Sequence, residues 1–376
     1  MHQLHPSSGA EVQSLLRPIT CPKVTSMKPR YLSGIQATGT PHIGNYLGAI
    51  KNWVASQNDE TDAFYMVADL HAITVQMPAD EVRRNRLETM AGLLACGLDP
   101  HKVTLFFQSD VRAHCEMYWL LGSKAYFGEL QRMTQFKSKG GGKQDVVSLD
   151  LFAYPVLQAA DILLYQADFV PVGHDQVQHI ELTRNIAARC NDSSPDLFKI
   201  PQPVVPTVGA RVMNLQAPTS KMSKSDRAAR NGVIMLTDDN DTIKTKVMRA
   251  VTDSENRIAY SGDQPGVQNL IEIICALTDS APDEVLDQLA GQGYGALKSF
   301  VVDLLVETVE PIRTSIQELL AHPEDVFDKI SVCTQTAQGV AEGTLSAARA
   351  AFGYGSPSAM TSAPPALQAN HHHSGR

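Results

Sequence analysis

The chain has 376 residues, 43% of them apolar, enough for a substantial core and for two domains. Forty acidic against 32 basic residues leave a net charge of -8, which excludes a protein that coats nucleic acid through a broad basic surface but not one that holds a selective RNA through local patches. No apolar run reaches membrane-spanning length, and six scattered cysteines without a CxxC pair give no support to a zinc ribbon or iron–sulfur site and fit a reducing compartment.

Residues 1–30 mix Ser, Pro, Lys and Arg with one acid, Glu11, and lack the apolar stretch of a signal peptide. They read as a disordered extension, which places the chain in the cytoplasm. The alternative is a transit peptide, since such segments are basic and acid-poor, and residence would then be mitochondrial or plastid. Arg30–Ile35 predicts a first strand, Gln36–Pro41 a turn, and His42 the start of a helix with Ile43, Leu47, Ile50 and Val54 on one face. Ala63–Ala68 and Val103–Gln108 predict two more strands. The helix between them turns Val82, Met90, Leu93 and Leu94 inward. Tyr154–Tyr165 is an apolar helix with one acid, Asp161. Phe169–Val172 reads as a short buried strand and Gln176–Arg189 as a helix. Strands alternating with helices at this spacing predict an α/β domain with a parallel sheet over 31–236.

After Leu236 the pattern turns helical. Val267, Leu270, Ile271 and Ile274 form one stripe, Tyr294–Leu320 a long helical segment interrupted at Pro311, and Asp325–Phe352 a further helix. Residues 237–352 are therefore expected to form an all-helical domain. Residues 353–376, rich in Ala, Ser and Pro with His371–His373, are expected to be a disordered tail.

Three segments carry chemistry. Gln36-Ala37-Thr38-Gly39-Thr40-Pro41-His42-Ile43-Gly44-Asn45 joins a strand to a helix. Small residues there admit a ligand close to the backbone, and a helix start offers unpaired N–H groups suited to a polyphosphate. His42 and Asn45 lie one turn apart on one side. The alternative is a plain βα turn with a cap. Lys221-Met222-Ser223-Lys224-Ser225 places two lysines and two serines in one loop, either a mobile cationic clamp for phosphate or a solvated basic loop. Asp161, with no basic neighbour within a helical turn, either pairs with a distant cation, awaits a ligand donor, or points to solvent or caps a neighbouring helix, because a buried unpaired carboxylate is costly.

His42-Ile43-Gly44-Asn45 followed by Lys221-Met222-Ser223-Lys224-Ser225 resembles the signature pair of class I aminoacyl-tRNA synthetases, in the form with Asn at the last position that is familiar in the tryptophan branch. Tyr154–Tyr165 resembles the pocket helix of bacterial-type tryptophanyl-tRNA synthetases, and Val67–Thr74 the segment that brings a His, here His71, to the amino acid. For His71 the alternative is a satisfied core histidine. Arg132–Lys137 resembles the segment beside the dimer interface and tRNA path, Pro171–Gln176 the nucleotide loop, and Ala250–Ser254 the start of the helical domain. The resemblance runs from about Tyr31 to Phe352. Two positions depart from it: His174 stands where the family usually has Glu, and Gln158 where many members have Met.

The resemblance implies a Rossmann-like catalytic domain followed by a helical, anticodon-binding domain. It implies activation of L-tryptophan by ATP, transfer to tRNA(Trp), Mg²⁺ carried in with ATP, and a homodimer away from membranes. Lys221, Lys224, His42 and Asn45 would be catalytic. ATP would lie against Gln36, Ala37, Thr38, Gly44, Gly173, His174, Asp175, Val212, Met222, Ser223 and Ser225. Tryptophan would lie against Asp161, His71, Tyr154 and Gln176, with Asp161 accepting the indole N–H, a group that can only donate. A tyrosine-specific relative, a non-catalytic binding module and a nucleotidyltransferase that never meets tRNA are the competing readings.

Overall fold

The computed structural model describes residues 28–134, 148–205, 211–224 and 230–354. Ser225, residues 135–137, most of the 1–30 extension and nearly all of the 353–376 tail lie outside the described residues. Five strands, β1 (Arg30–Gln36), β2 (Asp62–Ala68), β3 (Thr104–Phe107), β4 (Phe169–Pro171) and β5 (Gln202–Val204), form one sheet in the order β3-β2-β1-β4-β5. Every pairing is parallel, and β1 runs in register with β2 from Arg30↔Asp62 to Gln36↔Ala68. Parallel neighbours require crossovers, and helices supply them and cover both faces. That is why Ala63 through Ala68 of β2 are buried without alternation.

The four predicted strands are present, with ends that differ by no more than one residue. The fifth, β5, was not predicted. Proline stands at 201, 203 and 206, which argues against a strand, yet β5 pairs only with β4 and lies at the sheet edge, where a missing N–H is tolerated. The helix after the first turn begins at Ile43 and runs to Ala55, but Tyr46–Ile50 is wound as a π turn, a local form that recurs beside functional sites. The expected interruption at Pro311 is absent: one helix spans Tyr294–Ala321. Its buried face, Val301, Leu305, Val309, Ile312 and Ile316, continues across the proline, so packing outweighs the lost backbone bond.

The segment beyond Leu236 is helical as expected, and it shares its core with the sheet. Ile43, Leu47, Met90, Val267, Leu270, Val301 and Leu305 belong to one buried cluster. The last helix, Pro323–Ala351, returns to the sheet's other face, where Ala337, Ala341, Leu345 and Ala348 join Phe106, Met117 and Leu163. Arg349 grips Glu116 with two bonds of 2.5 Å, and the Cys333 thiol reaches the carbonyls of Pro100 and Val103 at 3.2 and 3.4 Å. None of the described helices is long and apolar enough to cross a membrane.

Gly92 shows how tightly the site's turn is seated. A Cβ there would lie 2.4 Å from Cδ of Pro41. Gly92→Ala should therefore destabilise the fold by about 1–3 kcal/mol, the usual range for overpacking. Urea unfolding would register this as a lower midpoint at unchanged slope, and an unchanged midpoint would show that the turn moves freely.

Candidate active site

Four segments of the site follow the carboxyl ends of strands. Gln36–Thr40 follows β1, His71 follows β2, Gln108 follows β3, and Gly173–Gln176 follows β4. The strand order reverses direction between β1 and β4, and the crevice outside such a switch point is where open α/β sheets bind ligands.

The turn after β1 is built from below by the Ala79–Ala95 helix. Gly39 takes φ +86°, a conformation that favours glycine, and the Glu88 carboxylate accepts from the Thr40 N–H at 3.2 Å and its hydroxyl at 3.4 Å. The Thr89 hydroxyl donates to the Gly39 carbonyl at 3.0 Å. His42 and Asn45 then cap the new helix reciprocally: the Asn45 N–H donates to His42 Nδ1 at 3.3 Å, and the His42 N–H donates to Asn45 Oδ1 at 3.1 Å. Burial, reinforced by the nearby charges of Lys224 and Lys221, pushes His42 down to about 3, so the ring is neutral at physiological pH. With Nδ1 accepting, its proton sits on Nε2 as a donor. The capping role and a ligand role are therefore compatible.

The lysine loop is brought onto this turn by backbone bonds. Met213 bridges Lys221, Met222 N–H donates to the Val212 carbonyl at 3.1 Å, and Ile43 N–H donates to the Ile234 carbonyl at 2.8 Å. Met222 and Val212 are buried and anchor the loop, while Lys221 is exposed. Lys224 Nζ donates to the carbonyls of Thr38, Gly39 and Thr40 at 3.1, 3.2 and 2.6 Å. Burial draws Lys224 down to about 8, with Glu88 opposing the shift. Residues 184 to 186 positions apart in sequence thus meet at this ammonium.

Asp161 lies on the Leu149–Leu164 helix with no exposed surface. Of the readings open from sequence, solvent exposure fails; the distant cation is replaced by two imidazoles and an amide. Asp161 Oδ2 is 2.7 Å from His71 Nε2, and Oδ1 accepts from Gln108 Nε2 at 2.7 Å and lies 2.6 Å from His114 Nδ1. Burial alone would raise this carboxyl. The electrostatic influence of the adjacent His71 and the hydrogen bonds from His114 and His71 outweigh it and hold Asp161 below the usual carboxylate range. Tyr154 stands edge-on to His71 at 6.2 Å and its hydroxyl meets His179 Nε2 at 2.8 Å. Burial, with Asp175 adding to it, pushes Tyr154 up to about 12. Gln158 donates to Gln176, and Gln176 to Asp175, at 3.5 and 3.0 Å, so the turn at residues 173–176 and the Leu149–Leu164 helix are in contact. His174 opens the short turn His174–Gln176, and Gly173 precedes it.

Sequence reasoning missed Glu88, Gln108 and His114. It also missed the Asp69–Arg86 pair at 2.5 Å, which ties the end of β2 to Ser109 after β3. None carries a local signature. The one available signal was position, since Gln108 sits where a strand ends.

Comparisons with known proteins agree with this geometry. The family pattern described as tRNA synthetases class I (W and Y) matches residues 25–309. A tryptophan–tRNA ligase of Clostridium acetobutylicum is 47% identical over 84% of this chain and 93% of its own length, and one of Clostridium perfringens is 49% identical over 79% and 90%. The tryptophanyl-tRNA synthetase structure of Mycoplasma pneumoniae superposes with a TM-score of 0.79 at 38% identity, covering 88% of this chain and 99% of that one. That of Campylobacter jejuni, complexed with ADP and tryptophan, gives 0.74 at 32%, covering 86% and 99%. The chain belongs to the class I tRNA synthetases of the tryptophan and tyrosine group, and within them to the tryptophan–tRNA ligases.

Proposed function

We propose that this chain activates L-tryptophan with ATP and esterifies it to tRNA(Trp), with the phosphates and the indole held at two separate places in the crevice. The observation that carries the reading is Asp161, a fully buried carboxylate held by His71, Gln108 and His114 in a chain that also carries the turn and lysine loop of a class I synthetase. An oxygen of the tryptophan carboxylate attacks the α-phosphorus of ATP, the bond to the bridging oxygen breaks, and pyrophosphate leaves. A hydroxyl of the terminal tRNA ribose then attacks the adenylate carbonyl and AMP leaves. The protein's part is positioning and charge stabilisation.

Lys224 leaves the carbonyls of residues 38–40 for the pyrophosphate, joined by Lys221, Ser223 and Ser225. His42 donates through Nε2 and Asn45 through its amide nitrogen. Gln36, Ala37, Thr38 and Gly44 lie under the nucleotide, and Gly173, His174, Asp175, Val212 and Met222 border it. Mg²⁺ enters with ATP. Asp161, His71, Tyr154 and Gln176 line the tryptophan side. The helices after Leu236 read the tRNA. Tyr126, Phe127 and Leu149 are exposed, with the Phe127 ring 5.0 Å from that of Phe152, and suit a homodimer face. Residence in the cytoplasm is consistent with the bacterial relatives.

The deciding assay is amino-acid-dependent exchange of pyrophosphate into ATP with tryptophan, tyrosine and phenylalanine side by side. Stimulation by tryptophan alone is expected. Stimulation by tyrosine would overturn the substrate, and none from folded protein would overturn the enzyme. The pH profile follows from Lys224, whose lowered value means it is charged below about 8 and neutral above. Because kcat/KM reports the free enzyme, kcat/KM for ATP should fall tenfold per pH unit above about 8. A profile with no step there would take Lys224 out of phosphate recognition.

A further inference from the structure

Tyr165 and His114 take no part in the steps above, yet both are fully buried and hydrogen-bonded in series to Asp161. Tyr165 Oη is 2.9 Å from His114 Nε2, and His114 Nδ1 is 2.6 Å from Asp161 Oδ1. The phenol is clamped between the rings of Phe64 and Phe106, with centroids 5.2 and 5.3 Å away. With a neutral ring, which has one donor and one acceptor, the phenol O–H donates to Nε2 and Nδ1–H donates to the carboxylate.

The consequence falls on the two carboxylate oxygens unequally. Oδ1 accepts from both Gln108 and His114, whereas His71 is the hydrogen-bond partner of Oδ2 among the described residues. A carboxylate oxygen has two acceptor directions. Oδ1 is saturated, and Oδ2 keeps one direction for a further N–H donor.

We infer that Tyr165 and His114 are positioning residues for substrate selection, a relay that fixes the rotation of Asp161 so that Oδ2 alone meets the ring N–H of the amino acid. The inference rests on the reading of Asp161 as the indole acceptor. Neither side chain reaches the substrate. Tyr165 pins the imidazole, the imidazole pins Oδ1, and the carboxylate cannot turn to satisfy itself elsewhere. Selectivity then comes from a fixed acceptor that a substrate lacking the N–H leaves unmet.

The test compares tryptophan with its isostere carrying sulfur in place of the ring N–H, by kcat/KM in pyrophosphate exchange. Tyr165→Phe keeps the packed ring and removes only the hydroxyl. It should raise KM for tryptophan and lower the preference for tryptophan over the isostere about tenfold, as for one buried hydrogen bond lost, with KM for ATP and kcat little changed. His114→Asn, whose amide can donate from near the Nδ1 position, should retain most of the preference, whereas His114→Phe should lose it. A merely structural role would depress both substrates equally and leave the ratio intact in every variant, which overturns the relay. Asp161→Asn separates the two failures. If it too leaves the ratio intact, the indole-acceptor reading falls; if it alone collapses the ratio, the pocket reading stands and the relay falls.

Discussion

Replacing Lys224 by alanine should slow tryptophan-dependent pyrophosphate exchange by about 10²–10³-fold, the usual loss for one transition-state contact. The ground-state geometry explains why the effect should be on rate. Lys224 rests on three carbonyls, a ligand set that a phosphate group replaces with full negative charge. Its stabilisation therefore grows as charge develops on the departing pyrophosphate, which is the condition for raising kcat. Lys224→Arg should rescue poorly, because a planar guanidinium does not fit three convergent carbonyls as a compact ammonium does. Equal exchange rates in Lys224→Ala and the parent protein would remove this residue from the chemistry.

Asp161→Ala should have a double effect. Removing the carboxylate strands His71, Gln108 and His114, three polar groups converging on a buried centre. Breaking a buried charged network from one side costs about 3–5 kcal/mol, so the unfolding midpoint in urea should drop sharply. In protein that remains folded, discrimination between tryptophan and phenylalanine should collapse while ATP affinity holds, because Lys224 and the turn after β1 are held by other bonds. A loss confined to ATP affinity would place Asp161 in the wrong half of the site, and an unchanged midpoint would mean that water reaches the cluster.

The residues legible in sequence were those whose function is written locally. The turn at 36–45 and the loop at 221–225 could be paired because each carries its residue types in consecutive positions. Asp161 stood out as one acid in an apolar helix. Its partners did not, because His71, Gln108 and His114 are 90, 53 and 47 residues away and converge only once the strands align. Glu88 was hidden for the same reason: on an amphipathic helix it reads as one solvated acid among several, and only packing turns it toward Thr40. The strand patterns survived because both faces of β2 are covered, giving an apolar run that needs no periodicity. The break expected at Pro311 and the absence expected at β5 are the converse, since proline's local penalty was outweighed by a long buried face in one place and avoided at a sheet edge in the other.

The return of the Pro323–Ala351 helix to the sheet has a consequence for how the molecule is made. β3 is an outer strand, and this final helix lies along it, with Phe327 against Phe107 at 5.9 Å and Gln338 donating to the Asp110 carbonyl at 2.9 Å. During synthesis the strand emerges more than two hundred residues before its cover. Until the last helix leaves the ribosome, the nascent chain carries an open strand edge beside bare apolar surface, the combination that recruits other chains. Premature termination anywhere in the final helix would thus yield aggregates rather than a smaller soluble enzyme, and chaperone demand should peak late in translation.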